Sequence, residues 1–394
     1  MYLLIDGQAL QVPTTRNRGV GRYSCNLVNA LVKARPDWRI ELVESTHMEP
    51  IDRDRVPGVA TRAFRPLLPF AGASLDANER YFGDWLTAQA PDAILELSFF
   101  ESPTLGLAPL FTGTRPRLFG ILYDLIPLLF PRQYLNHGSW EYARRFRQLL
   151  SADGVLAISQ AAADDLRAAL PCLGLEIVNI SGAPDPLLLP HAAEELEQFR
   201  ETLRLRFGVE KPFLLSVVAT DFRKNIEGIL RGFAALPTSV RSQMELVIVC
   251  PLDDAQRSAL EEKGRKLGLA DSLRLPGFVN DNALSALYQL CRVFFFPSLY
   301  EGLGLPVLEA LRCGAPVVTS NCSSLPEVAG PACWLADPNS PEDLARALLE
   351  ALAEPRELRL AARLAHADTF HWPKTAESAA RALEARPVFR PRRR

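Results

Sequence analysis

The sequence predicts an α/β protein built from two Rossmann-like domains, each a parallel sheet with helices on both faces, and three observations carry that prediction. At 394 residues the chain exceeds the size at which one hydrophobic core usually keeps growing. Short apolar runs alternate with longer stretches of helical period in both halves. Between the halves lies a Pro-rich stretch, APDPLLLP, from Ala183 to Pro190.

Taken in order, the first half reads as strands at Leu3 to Asp6, Arg39 to Val43, Ala93 to Leu97, Leu118 to Leu122, Val155 to Ile158 and Ile177 to Ile180. The second half reads as strands at Phe213 to Val217, Leu246 to Cys250, Leu273 to Leu275, Val293 to Phe296, Pro316 to Thr319 and Cys333 to Leu335. Their interiors are read as uncharged, as strands buried on both faces should be. Beyond the Pro-rich stretch, a charged helical pattern runs through Arg206 to a stop at Gly208. The expected division is a first domain at 1–183, a linker at 184–210, a second domain at 211–370 and a terminal segment at 371–394. In that terminal segment a helix from Thr375 to Ala385 follows a breaker at Pro373 and is suited to pack back on the first domain.

Composition narrows the class. With 48% hydrophobic and 23% charged residues the chain is ordinary globular protein, and 44 basic against 46 acidic residues give no electrostatic case for nucleic-acid binding. The concentrated basic run is FRPRRR, Phe389 to Arg394, which reads either as a solvated tail or as a contact for an anionic membrane surface. Seven cysteines (25, 172, 250, 291, 313, 322 and 333) show no C-x-x-C spacing and read as reduced core residues of a cytoplasmic protein. MYLLIDG carries an acid at Asp6 and no basic flank, so it reads as a first strand rather than a signal peptide, and no apolar run reaches the ~18 residues of a membrane span.

The segment richest in chemistry is SLYEGLGLPVLEALRCGAPVVTS, Ser298 to Ser320. A strand feeds a loop with Gly302 and Gly304, where backbone amides can approach a ligand closely, and Pro306 is placed to open a helix. That helix should stop at Gly314 in a left-handed cap. Its unpaired amides and positive dipole end suit a phosphate or diphosphate. Glu301 and Glu309 flank the turn, and carboxylates accept from vicinal hydroxyls, so the pair suits a ribose and a sugar ring. The plainer reading makes Glu309 a dipole complement and Glu301 a solvated loop residue.

Two glutamates separated by seven residues around EGLGLP resemble the signature of the retaining glycosyltransferases of family 4, which have the GT-B fold, two Rossmann-like domains with parallel sheets facing across a cleft. The resemblance extends over nearly the whole chain. It implies that Glu309 binds the ribose hydroxyls of a nucleotide, while Glu301 and the backbone of Gly302, Leu303, Gly304 and Leu305 hold the transferred sugar and diphosphate.

TDFRKN, Thr220 to Asn225, follows the first strand of the second half, at the sheet edge where open α/β sheets bind ligands. Arg223 and Lys224 could there neutralise a leaving diphosphate, or be solvated cations in a turn; similarity to the family's R-K-N element favours the first, most for Lys224. An arginine that some members carry earlier is replaced here by Val218 and Ala219. NRGVGRY places Gly19 and Gly21 before an amphipathic helix, and its likeness to the family's GVGRY element implies that both approach the donor diphosphate, with Arg22 nearby. YDLIPLLFP ends a buried strand at Asp124, where relatives have a histidine just before the aspartate and this chain has Tyr123. Asp124 therefore either orients the sugar or acceptor, or caps its own loop. Ser159 matches a family position but reads as a helix N-cap.

No metal and no cofactor are expected. Asp52 and Asp54 have D-x-D spacing but lie in a polar Pro-containing stretch, and the histidines at 47, 137, 191, 366 and 371 lack ligand spacing. The expected partners are a nucleotide-sugar donor and a glycan or lipid-linked acceptor, with peripheral contact at the inner face of the cytoplasmic membrane. GVGRY and YDLIPLLFP resemble bacterial mannosyltransferases of surface-polysaccharide assembly, which implies GDP-mannose, with UDP- and dTDP-sugars open; the family 4 resemblance implies anomeric retention. The alternatives are a catalytically silent nucleotide-sugar-binding subunit and a nucleotide-sugar epimerase on the same fold.

Overall fold

A computed structural model describes residues 1–16, 19–68, 74–100, 106–135, 139–171 and 174–385. The basic run at 389–394, Cys172, His137 and the Asn17–Arg18 pair of the first glycine motif lie outside the described residues.

Two all-parallel sheets organise the chain. The first comprises β1 (Tyr2–Asp6), β2 (Arg39–Ser45), β3 (Ala60–Phe64), β4 (Ala93–Glu96), β5 (Arg117–Leu122), β6 (Gly154–Ala157) and β7 (Glu176–Asn179), in the order β3-β2-β1-β4-β5-β6-β7. The second comprises β8 (Phe213–Val217), β9 (Glu245–Val249), β10 (Leu273–Gly277), β11 (Val293–Phe296), β12 (Val317–Ser320) and β13 (Trp334–Ala336), in the order β10-β9-β8-β11-β12-β13. Each order reverses once, between β1 and β4 and between β8 and β11. At such a switch point the connections leave in opposite directions and open a crevice at the C-terminal strand ends.

Every strand read from an apolar run is present, within a residue or two. The strand the sequence reading missed is β3, whose sequence ATRAF has no apolar run because it lies at the sheet edge and buries only Phe64 fully. The reading of uncharged strand interiors fails at Glu96, which is 1% exposed at the end of β4 and opposite Asp6 of β1 in register.

The chain divides into two compact units, one of residues 1–182 with the stretch from His371 onward, the other Ala183–Phe370. The segment read as a linker folds within the second unit as the helix Ala193–Phe207, closed by Gly208 at φ 65°. It packs on the helix Asp281–Leu290, and Ser285 of that helix donates to the Leu189 carbonyl of the Pro-rich stretch. In the first unit the terminal helix, Trp372–Glu384, packs along Gly19–Ala34. There Trp372 meets Tyr23 edge to face at 5.1 Å, and Arg35 forks onto Glu377 at 2.8 and 3.2 Å while also reaching Glu384 at 3.0 Å. Pro373 lies in the first turn of this helix instead of preceding it, because a proline's missing N–H costs nothing there. Its N-cap is His371, whose ring accepts the Lys374 N–H.

Candidate active site

The loops at the second unit's switch point are assembled first by backbone. After β8 the chain forms a single 3-10 turn, Phe222–Lys224, capped by Asp221. Asn225 follows in the left-handed region at φ 54°, a conformation asparagine tolerates better than most residues. Its Oδ1 accepts from Gly228 N–H at 3.0 Å and so starts the helix Ile226–Ala234. Its Nδ2 donates to the carbonyls of Pro297 at 2.9 Å and Pro338 at 2.8 Å. One side chain thus ties the β8 loop to the ends of β11 and β13. Leu299 N–H completes the tie, donating to the Arg223 carbonyl at 2.7 Å.

The loop after β11 is fixed from the other side. Glu301 N–H donates to Ser323 Oγ at 3.1 Å, and Ser324 Oγ donates to the Glu301 carbonyl at 2.9 Å. Held this way, Glu301 faces Lys224, whose Nζ donates to both carboxylate oxygens at 2.7 and 2.9 Å. Glu301 is 6% exposed, so the solvated-loop reading of it does not hold. A carboxylate this buried needs a paired cation, and Lys224 supplies it while also lying 5.4 Å from the Phe296 ring centroid.

The helix Leu305–Arg312 begins at this point, with Gly304 as N-cap and Pro306 one position later than expected, in its first turn. Gly304 has φ 98°, and a Cβ there would meet Leu325 Cδ2 at 2.9 Å. Only glycine therefore joins the loop to the helix. Lacking a side chain, it also leaves the first-turn amides without a side-chain cap, the condition under which a helix start receives an anion. The helix ends at Arg312 with Cys313 as its C-cap, and Gly314 follows in the left-handed region at φ 74°.

Glu309 sits on that helix, 8% exposed, and accepts from Tyr288 Oη at 3.1 Å. Burial and the Glu309 charge push the Tyr288 phenol well above its usual range, so it remains a donor. Arg223 is placed differently from Lys224: its Nε donates to Asp221 at 2.9 Å, so an incoming phosphate would compete with a carboxylate on the same turn. The structure therefore brings Lys224, Glu301 and the Gly302–Leu305 backbone together at the β8/β11 switch point, with Glu309 further along the same helix.

Gly19, Gly21 and Asp124 belong to the first unit. The two glycines lie inside the first turn of Gly19–Ala34, not ahead of it. A Cβ on Gly21 would come within 2.2 Å of the Arg16 carbonyl oxygen, whereas one on Gly19 would meet nothing within 4 Å. Packing thus excludes a side chain at Gly21, and Gly19 keeps an open approach. Gly21→Ala is expected to lose about 1–3 kcal/mol in a urea melt and Gly19→Ala under about 0.5; equal losses would contradict this division. Asp124 Oδ1 accepts Ile126 N–H at 3.0 Å, the loop-capping contact. Tyr123 Oη lies 2.9 Å from Ser24 Oγ, and its ring packs edge to face on Tyr23. Ser159 is the N-cap of Gln160–Ala169, accepting from Ala162 N–H at 3.0 Å. Asp52 caps a short 3-10 turn.

A buried network at the first unit's switch point escaped the sequence reading. Asp6 accepts from Gln8 N at 3.1 Å and Gln8 Nε2 at 2.7 Å, and Gln8 exchanges two further bonds with the Leu107 backbone. Glu96 accepts from Gln148 on the helix Ser139–Ser151. Burial pushes Asp6 up to about 6, against its Gln8 bonds and the Arg145 charge. Burial, then the Asp6 charge, raises Glu96 well above the carboxylate range. A carboxyl whose folded pKa is raised stabilises the fold below its unfolded pKa, and that contribution is lost as pH rises through the folded value. Glu96→Gln should therefore melt increasingly above wild type as pH rises from 5 towards 9 in parallel thermal scans. A pH-independent difference would show that Glu96 does not titrate.

Fold and site together define a GT-B glycosyltransferase architecture. Solved structures of similar fold include sucrose-phosphate synthase from Thermosynechococcus elongatus, with a TM-score of 0.71 and 20% identity over 97% of both chains. Another is WaaG, a glycosyltransferase involved in lipopolysaccharide biosynthesis, with a TM-score of 0.69 and 19% identity over 98% of this chain and 100% of that one. More particularly, residues 199–367 match the family described as Glycosyl transferases group 1. The chain's relatives include the serotype-specific mannosyltransferase WbdA of Escherichia coli, 30% identical over 408 residues, which cover 96% of this chain and 47% of WbdA. The O-antigen chain mannosyltransferase B of Escherichia coli is 39% identical over 164 residues, 41% of this chain and 42% of that protein. The chain thus spans less than half the length of these curated relatives. Among the described residues no helix is long and apolar enough to cross a membrane.

Proposed function

We propose that the chain transfers a hexose, mannose from GDP-mannose in the first instance, to a glycan or lipid-linked acceptor in surface-polysaccharide biosynthesis. The observation that carries this reading is the Lys224–Glu301 pair beside an uncapped helix start at the sheet's switch point. Relatives named as mannosyltransferases support the choice of sugar. Glu309 takes the ribose hydroxyls, Glu301 the transferred sugar, and Lys224 with the amides of residues 302–305 takes the diphosphate; Arg223 adds charge once it exchanges Asp221 for phosphate.

In this mechanism the bond from the anomeric carbon to the diphosphate oxygen breaks while the acceptor oxygen attacks on the same face. The acceptor proton passes to the departing phosphate oxygen, which gives retention. Lys224 and the fixed amides stabilise the charge that grows on the leaving group. Because the charge is met by an ammonium and backbone dipoles, transfer should proceed without metal and be unchanged by EDTA. The work is placed at the inner face of the cytoplasmic membrane, where lipid-linked acceptors would be met.

NMR of the product from GDP-mannose tests this reading, which expects an α-linkage. An inverted product would overturn the mechanism, and turnover of donor to an epimer, or binding of nucleotide without turnover, would overturn the transferase itself. A thermal-shift comparison of GDP, UDP and dTDP tests the base, with GDP expected to stabilise most.

A further inference from the structure

In the first unit, one polar atom lies where burial makes it costly. Tyr142, on the helix Ser139–Ser151, is 8% exposed, and its phenol oxygen is buried with no hydrogen-bond partner among the described residues. The ring cannot swing away to find one, because it is stacked on Phe100 with centroids 4.6 Å apart and planes at 14°, and on Phe146 at 6.4 Å and 22°. Phenylalanine would fill the same space without desolvating a hydroxyl, so a tyrosine here calls for an explanation.

Its position supplies one. Burial, and then the charge of Asp124, pushes the phenol well above its usual range, which keeps it a neutral O–H within electrostatic reach of that carboxylate. Asp124 follows β5 at the C-terminal edge of the parallel sheet, where ligands of open α/β sheets bind. Tyr142 is stacked on Phe100, just past the end of β4, and Asp124 lies just past the end of the neighbouring β5; a donor and a carboxylate acceptor on that one sheet edge match the hydroxyls of a sugar ring, each of which can both donate and accept.

We propose that Tyr142 is a sugar-binding residue, its O–H donating to one ring hydroxyl while a neighbouring hydroxyl donates to Asp124. The sugar is either the hexose of the donor or the terminal unit of the acceptor, and the inference rests on the glycosyl-transfer reading.

Tyr142→Phe separates the cases. Because it removes an unpartnered hydroxyl, the variant should melt at the wild-type temperature or above it. Its kcat/KM for transfer should fall about tenfold, the loss of one hydrogen bond. If the sugar is the donor's, hydrolysis of GDP-mannose without acceptor falls by the same factor; if it is the acceptor's, hydrolysis is unchanged and only transfer falls. Wild-type rates in both assays would overturn the proposal, as would a melting temperature several degrees lower, which would reveal a protein partner for the hydroxyl. A wild-type enzyme inactive on every nucleotide sugar would instead overturn the glycosyl-transfer reading itself.

Discussion

Lys224→Ala is expected to lower kcat/KM for glycosyl transfer by about 10²- to 10³-fold, the usual cost of removing one preorganised donor from developing charge. The expectation follows from where the ammonium is held: 2.7 and 2.9 Å from the Glu301 oxygens, beside a helix start whose cap offers no side chain. Truncation has a second consequence, since Glu301 is 6% exposed and would be left as an uncompensated buried charge. The single variant should therefore melt lower as well as react slowly. Lys224→Ala combined with Glu301→Gln removes the orphaned charge and should recover the melting temperature but not the rate. Recovery of both would mean that the pair is only structural, and an active single variant would remove Lys224 from the mechanism.

Glu309→Gln is expected to raise the donor KM until kcat/KM falls about 10- to 100-fold, the range for losing a hydrogen bond to a charged group. Glutamine fills the same volume and can still accept from Tyr288, whose Oη lies 3.1 Å away, so the fold should be little changed. Its amide nitrogen cannot accept from a ribose hydroxyl, and the loss should appear in nucleotide binding before it appears in turnover. Tyr288→Phe provides the contrast: it removes the hydrogen bond that orients Glu309 while keeping the carboxylate, so its effect should be the smaller. Titration calorimetry with GDP on the three proteins checks the order, and equal affinities would contradict the ribose assignment.

Much of this was legible before any coordinates because the signals were local. EGLGLP packs strand end, glycine turn and helix start into a few residues, and each part has its own conformational reason, so placing Glu301 and Gly304 needed no tertiary information. Lys224 was legible for the same cause, as the cation just after the strand β8. Contacts across long sequence separations were not. Tyr288 reaches Glu309 only because two helices pack, and Ser323 and Ser324 hold Glu301 only because the loop after β12 lies against the loop after β11. The β3 edge strand left no apolar run to find. Glu96 did leave a signal, an acid inside an otherwise apolar strand, which should have prompted a search for buried partners. The segment taken for a linker was misjudged because charge on the solvent face of Ala193–Phe207 outweighs the few apolar positions that pack inward.

The central claim is a place for the diphosphate. A crystal structure with a bound nucleotide sugar tests it most directly: the phosphates should lie on the amides opening the Leu305–Arg312 helix, with the Lys224 ammonium bridging phosphate and Glu301. A nucleotide bound with its phosphates away from that turn, leaving the Lys224–Glu301 pair untouched, would contradict the account.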